Sequence, residues 1–457
     1  MPPSDTDSST APRGLLGVLF LGTLLAALDI AIVGPALPAL REAFVLSERA
    51  ATWTFTAFVL ANLAGLPVMA ALSDRLGRRR VYVADVALFA VGSLIVALAP
   101  SFGVLLAGRV VQGLGASGIF PVASAVIGDV YPPESRGRAL GLIGAVFGVA
   151  FLIGPTVGGI VLAVGSWRWL FALQIPLALL VIMRSGSVLP QERAPDPRPF
   201  DLAGVLTLTA LLSALVVGLS GLDANAPLAG LTTPWVGGPL ALALLLLPVL
   251  VHIQRTAAAP VLSPNLVRRR GVQIACVLAV GAGIVEAAFV LLSDYVVVAF
   301  NVGQSTASYL LLPLVAGVAV GSPLSGRLLD RIGARPVATA AGVLIAAGLA
   351  VIVWAGSLGV HVAGTVLLGL GLSGILGSSL RYILLNEAGI QERTVAQGLS
   401  SVFLSVGQLV GAAVLAALAA SSAASPAGYR LGFLLVAATG VVLAIAAQFL
   451  QPAQRSS

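Results

Sequence analysis

The chain is poor in charge. Only 9% of its 457 residues are Asp, Glu, Lys or Arg, where soluble domains carry about 25%, and this excludes a water-soluble globular protein. Cysteine is nearly absent: the single Cys276 lies in an apolar stretch and excludes a disulfide framework or a thiolate metal cluster. Histidine is scarce too. His252 and His361 are the only two and sit far apart in the chain, which argues against a metal or a His-based catalytic centre. Lysine is missing, so all basic charge is arginine. No G-x-x-x-x-G-K-[ST] segment is present, and the loops are too short for a soluble catalytic domain. Neither enzyme activity nor a cofactor is expected.

What is abundant is hydrophobic surface: 58% of residues and a mean hydropathy of +1.04. One crossing of a ~30 Å hydrocarbon core takes about 20 apolar residues. Uninterrupted apolar stretches predict spans at 14–37, 51–72, 81–99, 102–127, 139–163, 169–189, 202–222, 235–251, 272–296, 306–326, 337–356, 360–380, 396–420 and 431–450. That makes fourteen, or twelve to thirteen if the shorter ones merge. Helices are expected because an open chain in lipid must satisfy its own backbone, and the in/out alternation of a membrane barrel is absent. A cleaved signal is not expected, since residues 1–13 carry Asp5, Asp7 and Arg13 and the first apolar run is too long.

The basic pI of about 10.4 follows topology. With the N-terminus inside, twenty arginines fall in cytoplasmic loops and tails and only Arg41, Arg49, Arg168 and Arg430 fall outside, a strong positive-inside asymmetry. The surplus reads as orientation and contact with anionic lipid headgroups, not nucleic-acid binding. Both termini are expected in the cytoplasm of a cell (inner) membrane protein.

An internal repeat organises the chain. Leu72 to Val81 reads LSDRLGRRRV and Leu328 to Val337 reads LLDRIGARPV, identical at six of ten positions at an offset of 256 residues. Parallel repeats of this kind occur in transporters whose two bundles rock about a central site. The expected organisation is a tail at 1–13, a six-helix bundle at 14–189, a linker with two inserted helices at 190–255, a second six-helix bundle at 256–450 and a tail at 451–457. The repeated loops admit two readings. One is topogenic charge alone. The other is a gate, in which Asp74 or Asp330 accepts backbone N–H bonds at a helix N-terminus while Arg75, Arg78 and Arg79, with Arg331 and Arg335 in the second copy, pair with acids of neighbouring helices. Gly77 and Gly333 then allow a tight turn.

These segments resemble the major facilitator superfamily, and within it the fourteen-helix drug:proton antiporter branch. LSDRLGRRR resembles the loop motif after helix 2, with Ala70 in place of its leading Gly. LDIAIVGPALP, from Leu28 to Pro38, resembles the first-helix motif, with Ala31 and Gly34 for the usual Thr and Asn. LLAGRVVQGLGA, from Leu105 to Ala116, is similar to the helix 4 motif through Arg109, Gln112, Gly113 and Gly115. GPTVGG, with Gly154, Pro155, Gly158 and Gly159, resembles the helix 5 antiporter motif, Ala150 replacing its first Gly. WRWLFALQIP, from Trp167, and FDLAG, from Phe200, resemble two further branch signatures, the former with Gln174 for Asn.

Five ionisable residues fall inside predicted spans: Asp29, Asp85, Arg109, Glu286 and Asp294. A midspan charge costs about 2.5–3.5 kcal/mol even on the lenient insertion scale, so these are functional candidates, with Asp29, Arg109, Glu286 and Asp294 the candidates for proton coupling. Asp29 lies about 22 Å into helix 1 at 1.5 Å per residue, and Arg109 at a similar depth in helix 4. Because helices 1 and 4 face the central cavity in the superfamily, the resemblance implies an Asp29/Arg109 pair or relay; a permanent structural ion pair is the alternative. The repeat carries Asp29 to within one residue of Glu286, which reads as a proton carrier or a binder of cationic substrate, against a helix-packing role. Asp294 reads either as lining the outer vestibule or as an interfacial acid. Asp85, five residues past Arg80, reads as an interfacial ion pair. Gln112, Trp53, Phe58, Phe147, Phe151 and Tyr295 are candidates for the cavity wall.

The resemblance implies a proton-driven exporter of small amphiphilic or lipophilic compounds working by alternating access. It is expected to be a monomer whose partners are substrate, protons and the bilayer. An uptake symporter or facilitator of the same fold, and a non-transporting sensor or scaffold, remain as alternatives.

Overall fold

Backbone amides cannot go unpaired in hydrocarbon, and helices satisfy them here: among the described residues there is no strand. The computed structural model describes residues 14–46, 48–190, 201–220, 232–258, 260, 264–302, 307, 309–389, 392–420 and 426–451. The helices are α1 (Leu15–Phe44), α2 (Glu48–Leu76), α3 (Arg78–Ala97), α4 (Phe102–Val130), α5 (Pro133–Val164), α6 (Arg168–Ala172), α7 (Gln174–Val188), α8 (Leu202–Ser220) and α9 (Pro234–Thr256). Then follow α10 (Pro264–Arg268), α11 (Arg270–Phe300), α12 (Leu312–Ile332), α13 (Ala334–Val353), α14 (Leu358–Leu372), a π-helical stretch (Ser373–Ser379), α15 (Leu380–Glu387), α16 (Arg393–Ala420) and α17 (Ala427–Gln448).

Among the described residues, twelve helical segments are long and apolar enough to cross a membrane, with α6–α7 and α14–α15 each counting once. This is two fewer than the fourteen read from the apolar runs. The other two predicted spans fall on α8, whose apolar run is Leu202–Leu215, and on α16, a 28-residue helix. Several boundaries also move. The predicted loop at 73–80 is one residue, Gly77, between α2 and α3, and the second copy turns on Gly333 in the same way. Both glycines have positive φ, 94° and 81°, a conformation that a Cβ disfavours. The span predicted to end at 380 continues through the π-helical stretch to Glu387. Arg381 is therefore inside a helix and not in a cytoplasmic loop.

The 256-residue repeat extends well beyond the two loops. Ser101 caps α4 by accepting from the Val104 N–H, and Ser357 caps α14 by accepting from the Val360 N–H. Pro67 and Pro323 sit inside α2 and α12 at the same offset. Packing repeats too. In the first half α3 lies against α4 and α7, α2 against α4, and α1 against α5 and α7. In the second, α13 lies against α14 and α17, α12 against α14, and α11 against α16 and α17. The inserted α8 and α9 pack on each other, and α8 also on α2 and α16. An apolar cavity of about 440 Å³ lies between this pair and α2 and α16, lined by Leu66, Leu211, Leu247 and Val402 among others.

The halves meet mainly where α5 lies on α12 and where α2 and α4 meet α16. Gly137, Gly141, Gly144 and Gly148 form a stripe on α5. A Cβ on Gly141 would stand 2.5 Å from the Ser322 carbonyl oxygen, and one on Gly148 2.6 Å from the Ala319 Cβ. Gly144 meets the backbone of Gly377 in the π-helical stretch. Small residues at such spacing let helix backbones touch, and the contact fills the arginine-rich half of α5. GPTVGG acts elsewhere: Gly154 and Gly158 pack on Ala31 and Pro35 of α1 within one bundle, while Gly159 is exposed with open space around it.

Gly141→Val is expected to wedge α5 from α12. In a Cys276→Ser background, a cysteine placed at Ser325, which is 6% exposed, should then react with a hydrophilic maleimide several-fold faster than in the parent protein. An unchanged rate would mean that the stripe does not close this end.

Candidate functional site

Three polar clusters are built on this frame. The deepest lies within the first half. The Arg109 guanidinium donates through Nη1 to both Asp29 carboxylate oxygens, at 2.9 and 2.7 Å, and through Nε to the Thr54 carbonyl at 2.9 Å. Gln112, one turn along α4, accepts from Arg109 at 2.8 Å and donates to Asp29 Oδ1 at 3.0 Å. Its Nε2 also reaches Ser93 Oγ at 2.8 Å and Gln174 Oε1 at 3.0 Å, and Gln174 Nε2 donates to Asp29 Oδ1 at 3.1 Å. Helices α1, α2, α3, α4 and α7 thus converge on one ion pair and the amides around it. Asp29, Arg109, Gln112 and Ser93 are 0% exposed. The guanidinium lies 4.4 Å from the Phe58 ring centroid, and its Nη2 has no hydrogen-bond partner. Removing either ion would leave the other buried without its partner.

The second cluster lies between the halves. Glu286 on α11 accepts from Gln408 on α16 at 2.6 Å and is acted on electrostatically by Arg381. Arg381 lies 3.9 Å over the Phe120 ring of α4 and donates to the Gly377 carbonyl at 3.0 Å. Phe120 in turn packs on Phe147 of α5, with ring centroids 5.1 Å apart. A cation–π contact of this kind is worth about 2 kcal/mol or more when desolvated. A cavity of about 30 Å³ opens beside Phe120, Arg381, Gln397, Ser400 and Leu404.

The third cluster locks the arginine-rich end. Asp330 on α12 accepts the N–H groups of Gly137 at 2.7 Å and Arg138 at 2.8 Å, in the first turns of α5. Helix N-termini favour such an anion. Arg78 pairs with Asp74 and reaches Asp129 of α4 at 3.0 Å. The other oxygen of Asp129 meets Arg393 of α16 at 2.6 Å, so this chain of ions also crosses between halves. Arg335 bonds to Gln448 of α17 and not to an acid. Arg79 is half-buried beside Gly186 of α7. Arg75 and Arg331 are exposed.

Several expectations are corrected. Gln112 and Phe58 belong to the buried ion-pair cluster and do not face a cavity. Tyr295 is also fully buried, donating to the Ile352 carbonyl at 3.3 Å and packing on Phe433 and His361 in the core of the second half. Trp53 is 47% exposed, and Phe147 lies at the junction of the halves. Asp85 makes no interfacial ion pair. It is 0% exposed, and neither carboxylate oxygen has a hydrogen-bond partner. The side chains of Phe151, Pro155 and Asp294 lie outside the described residues. Several contributors were not anticipated as site residues, Asp129 and Arg393 of the third cluster among them. Gln174 stood out only as a departure from a motif, Arg381 was hidden by a helix ended too early, and Ser93 and Gln408 carry no signal of their own.

A helical bundle of two related halves, with a buried ion pair and ionic contacts joining the halves at one end, has the architecture of repeat-built membrane transporters. Comparison with known proteins makes this specific. The Major Facilitator Superfamily profile matches residues 19–297 and 274–457, and the chain belongs to that family. It is a multi-pass membrane transporter and not an enzyme. It is 31% identical over 398 residues to the MFS-type transporter YfiU of Bacillus subtilis (strain 168), covering 86% of this chain and 77% of the relative. It is 28% identical to Multidrug resistance protein Stp of Mycobacterium tuberculosis (strain CDC 1551 / Oshkosh), covering 85% and 72%. Two further relatives are longer, and the chain spans 48% and 63% of their length. The fold matches the proton:xylose symporter XylE with a TM-score of 0.68 at 16% identity, covering 96% of each chain.

Asp29→Ala leaves Arg109 buried without its counter-ion and is expected to cost about 3–5 kcal/mol. Combining Asp29→Asn with Arg109→Gln should recover most of the loss. Unfolding midpoints in detergent for the single and double variants check this; equal losses in both would mean the pair contributes little.

Proposed function

We propose that the protein is a proton-driven exporter of small amphiphilic or lipophilic compounds, working by alternating access between the halves at 14–189 and 256–450. The reading has fourteen membrane helices, α8 and α16 completing the set, in a monomer in the cell membrane with both termini cytoplasmic. On that orientation the arginine-rich end faces the cytoplasm, and the conformation described is closed toward it.

The observation that supports this best is the network from five helices built around the Asp29–Arg109 pair. An acid kept in the interior against its insertion cost, with a guanidinium and two amides around it, is more than packing requires. Glu286 occupies the matching place in the second half. In the proposed cycle, Asp29 or Glu286 takes a proton from outside, which weakens the hold on substrate and releases it outward. The return to the inward-facing state opens the Asp330 and Asp129 locks. Proton loss to the cytoplasm then resets the site. Relatives named multidrug resistance proteins and the resemblance of GPTVGG to the antiporter motif support export.

Proteoliposomes loaded with a lipophilic cationic dye test the reading. An imposed pH gradient is expected to drive dye movement, and dye binding to purified protein to release protons. Asp29→Asn and Glu286→Gln should each reduce gradient-driven movement at least tenfold. Dye and protons moving in the same direction would indicate a symporter. No dye movement and no proton release for any compound of a cationic and neutral panel would favour a sensor or scaffold.

A further inference from the structure

Among the intramembrane acids whose side chains are described, Asp85 is the one that neither the Asp29 cluster nor the Glu286 cluster uses. Its carboxyl lies against the bare backbone of Gly118 on α4, and a Cβ added to that glycine would also stand 2.9 Å from the Met69 Cβ of α2. It has no hydrogen-bond partner and is 0% exposed. The titratable group beside it is Tyr82, one turn earlier on α3, whose hydroxyl donates to the Val18 carbonyl. No cation pairs with Asp85 among the described residues. An ionised carboxylate in such a place costs several kcal/mol and is relieved by taking a proton.

Its position gives that proton a use. Ser93, a member of the Asp29 cluster, is eight residues along α3, about 12 Å away, and Arg78 of the lock is seven residues the other way, about 10 Å. The α2 side of this place moves in the mechanism. Met69 lies on α2 between Leu66 and Ala70, and these two residues meet Gly398 of α16 across the halves. Parting α2 from α16 therefore moves the α2 residue that packs beside Gly118, the same spot that Asp85 occupies.

We propose that Asp85 is a proton-binding station of the first half, holding its proton while the arginine-rich end is closed and losing it to water admitted on that side when α2 leaves α16. The proton leaves to water, and the carboxylate formed faces the basic end of α3. This rests on the proton-coupled reading above, and the test separates the two.

A Cβ built on Gly398 stands 3.7 Å from that of Ala70, within the range that a disulfide spans. The protein carrying Ala70→Cys, Gly398→Cys and Cys276→Ser can thus be held closed by oxidation, with Asp85 intact. Infrared spectra of this protein in liposomes are expected to show a protonated-carboxyl band that Asp85→Asn removes. With the disulfide formed, the band should persist from pH 5 to about 8 and resist exchange into D2O; after reduction it should titrate and shift. Asp85→Asn should also lower pH-gradient-driven dye movement at least tenfold, with Asp85→Glu retaining more, while dye exchange without a gradient changes less than twofold. Absence of the band, identical titration in both states, or unchanged gradient-driven movement in Asp85→Asn would each overturn the proposal. Proton release by dye together with a missing Asp85 band would sink this proposal alone. A band that responds to the disulfide with no proton release would instead sink the coupled-transport reading.

Discussion

The organising constraint is that charge placed among apolar helices must be answered by charge or hydrogen bonds at short range. Arg109 meets this demand with Asp29, a backbone carbonyl and Gln112. Because the groups that answer it come from separate helices, satisfying one guanidinium fixes how α1, α2, α3, α4 and α7 stand relative to one another. The apolar contacts around it are individually interchangeable in a way that this arrangement is not, since hydrocarbon in lipid gains little by choosing one apolar neighbour over another. Polarity is the source of specificity in the first half, and small-residue contact is the source of closeness between the halves.

The two halves use one plan with different chemistry. Caps, internal prolines and positive-φ glycines recur at the same offset, whereas the buried acids do not share surroundings. Asp29 is held by a salt bridge, Glu286 by a single amide with Arg381 nearby. The lock is divided in the same unequal way: Asp330 uses backbone donors, and Asp129 uses two arginines. Such asymmetry gives the buried acids of the two bundles different surroundings within a common packing frame.

Much of this was legible in the sequence because charge is so sparse. With so few ionisable residues in the apolar runs, Asp29 and Arg109 stood out at similar depth and the family resemblance implied their pairing, and the LSDRLGRRRV and LLDRIGARPV segments announced both the repeat and its glycine turns. Asp330 at a helix N-terminus followed from the same segment. Other features depended on information that no local pattern holds. The α5 stripe was concealed among 52 glycines, since nothing along the chain says which of them faces another helix. Tyr295 and Phe58 could not be told from cavity-lining aromatics because the helices are apolar on nearly every face. Arg381 was mistaken for a loop residue because a charge normally ends a hydrophobic run; here Phe120 and the Gly377 carbonyl support it inside the helix. Asp85 was mistaken for an ion pair because Arg80 is close in sequence, yet its side chain points to Gly118.

The single-residue junctions at Gly77 and Gly333 carry a mechanical consequence. A connection that short has no slack, so the ends of α2 and α3, and of α12 and α13, cannot drift apart during any rearrangement. Each pair behaves as a bent rod with its elbow at the membrane surface. Leaning one arm must swing the other, and a displacement that begins between the bundles is delivered to the buried faces of α3 without any intervening loop to absorb it.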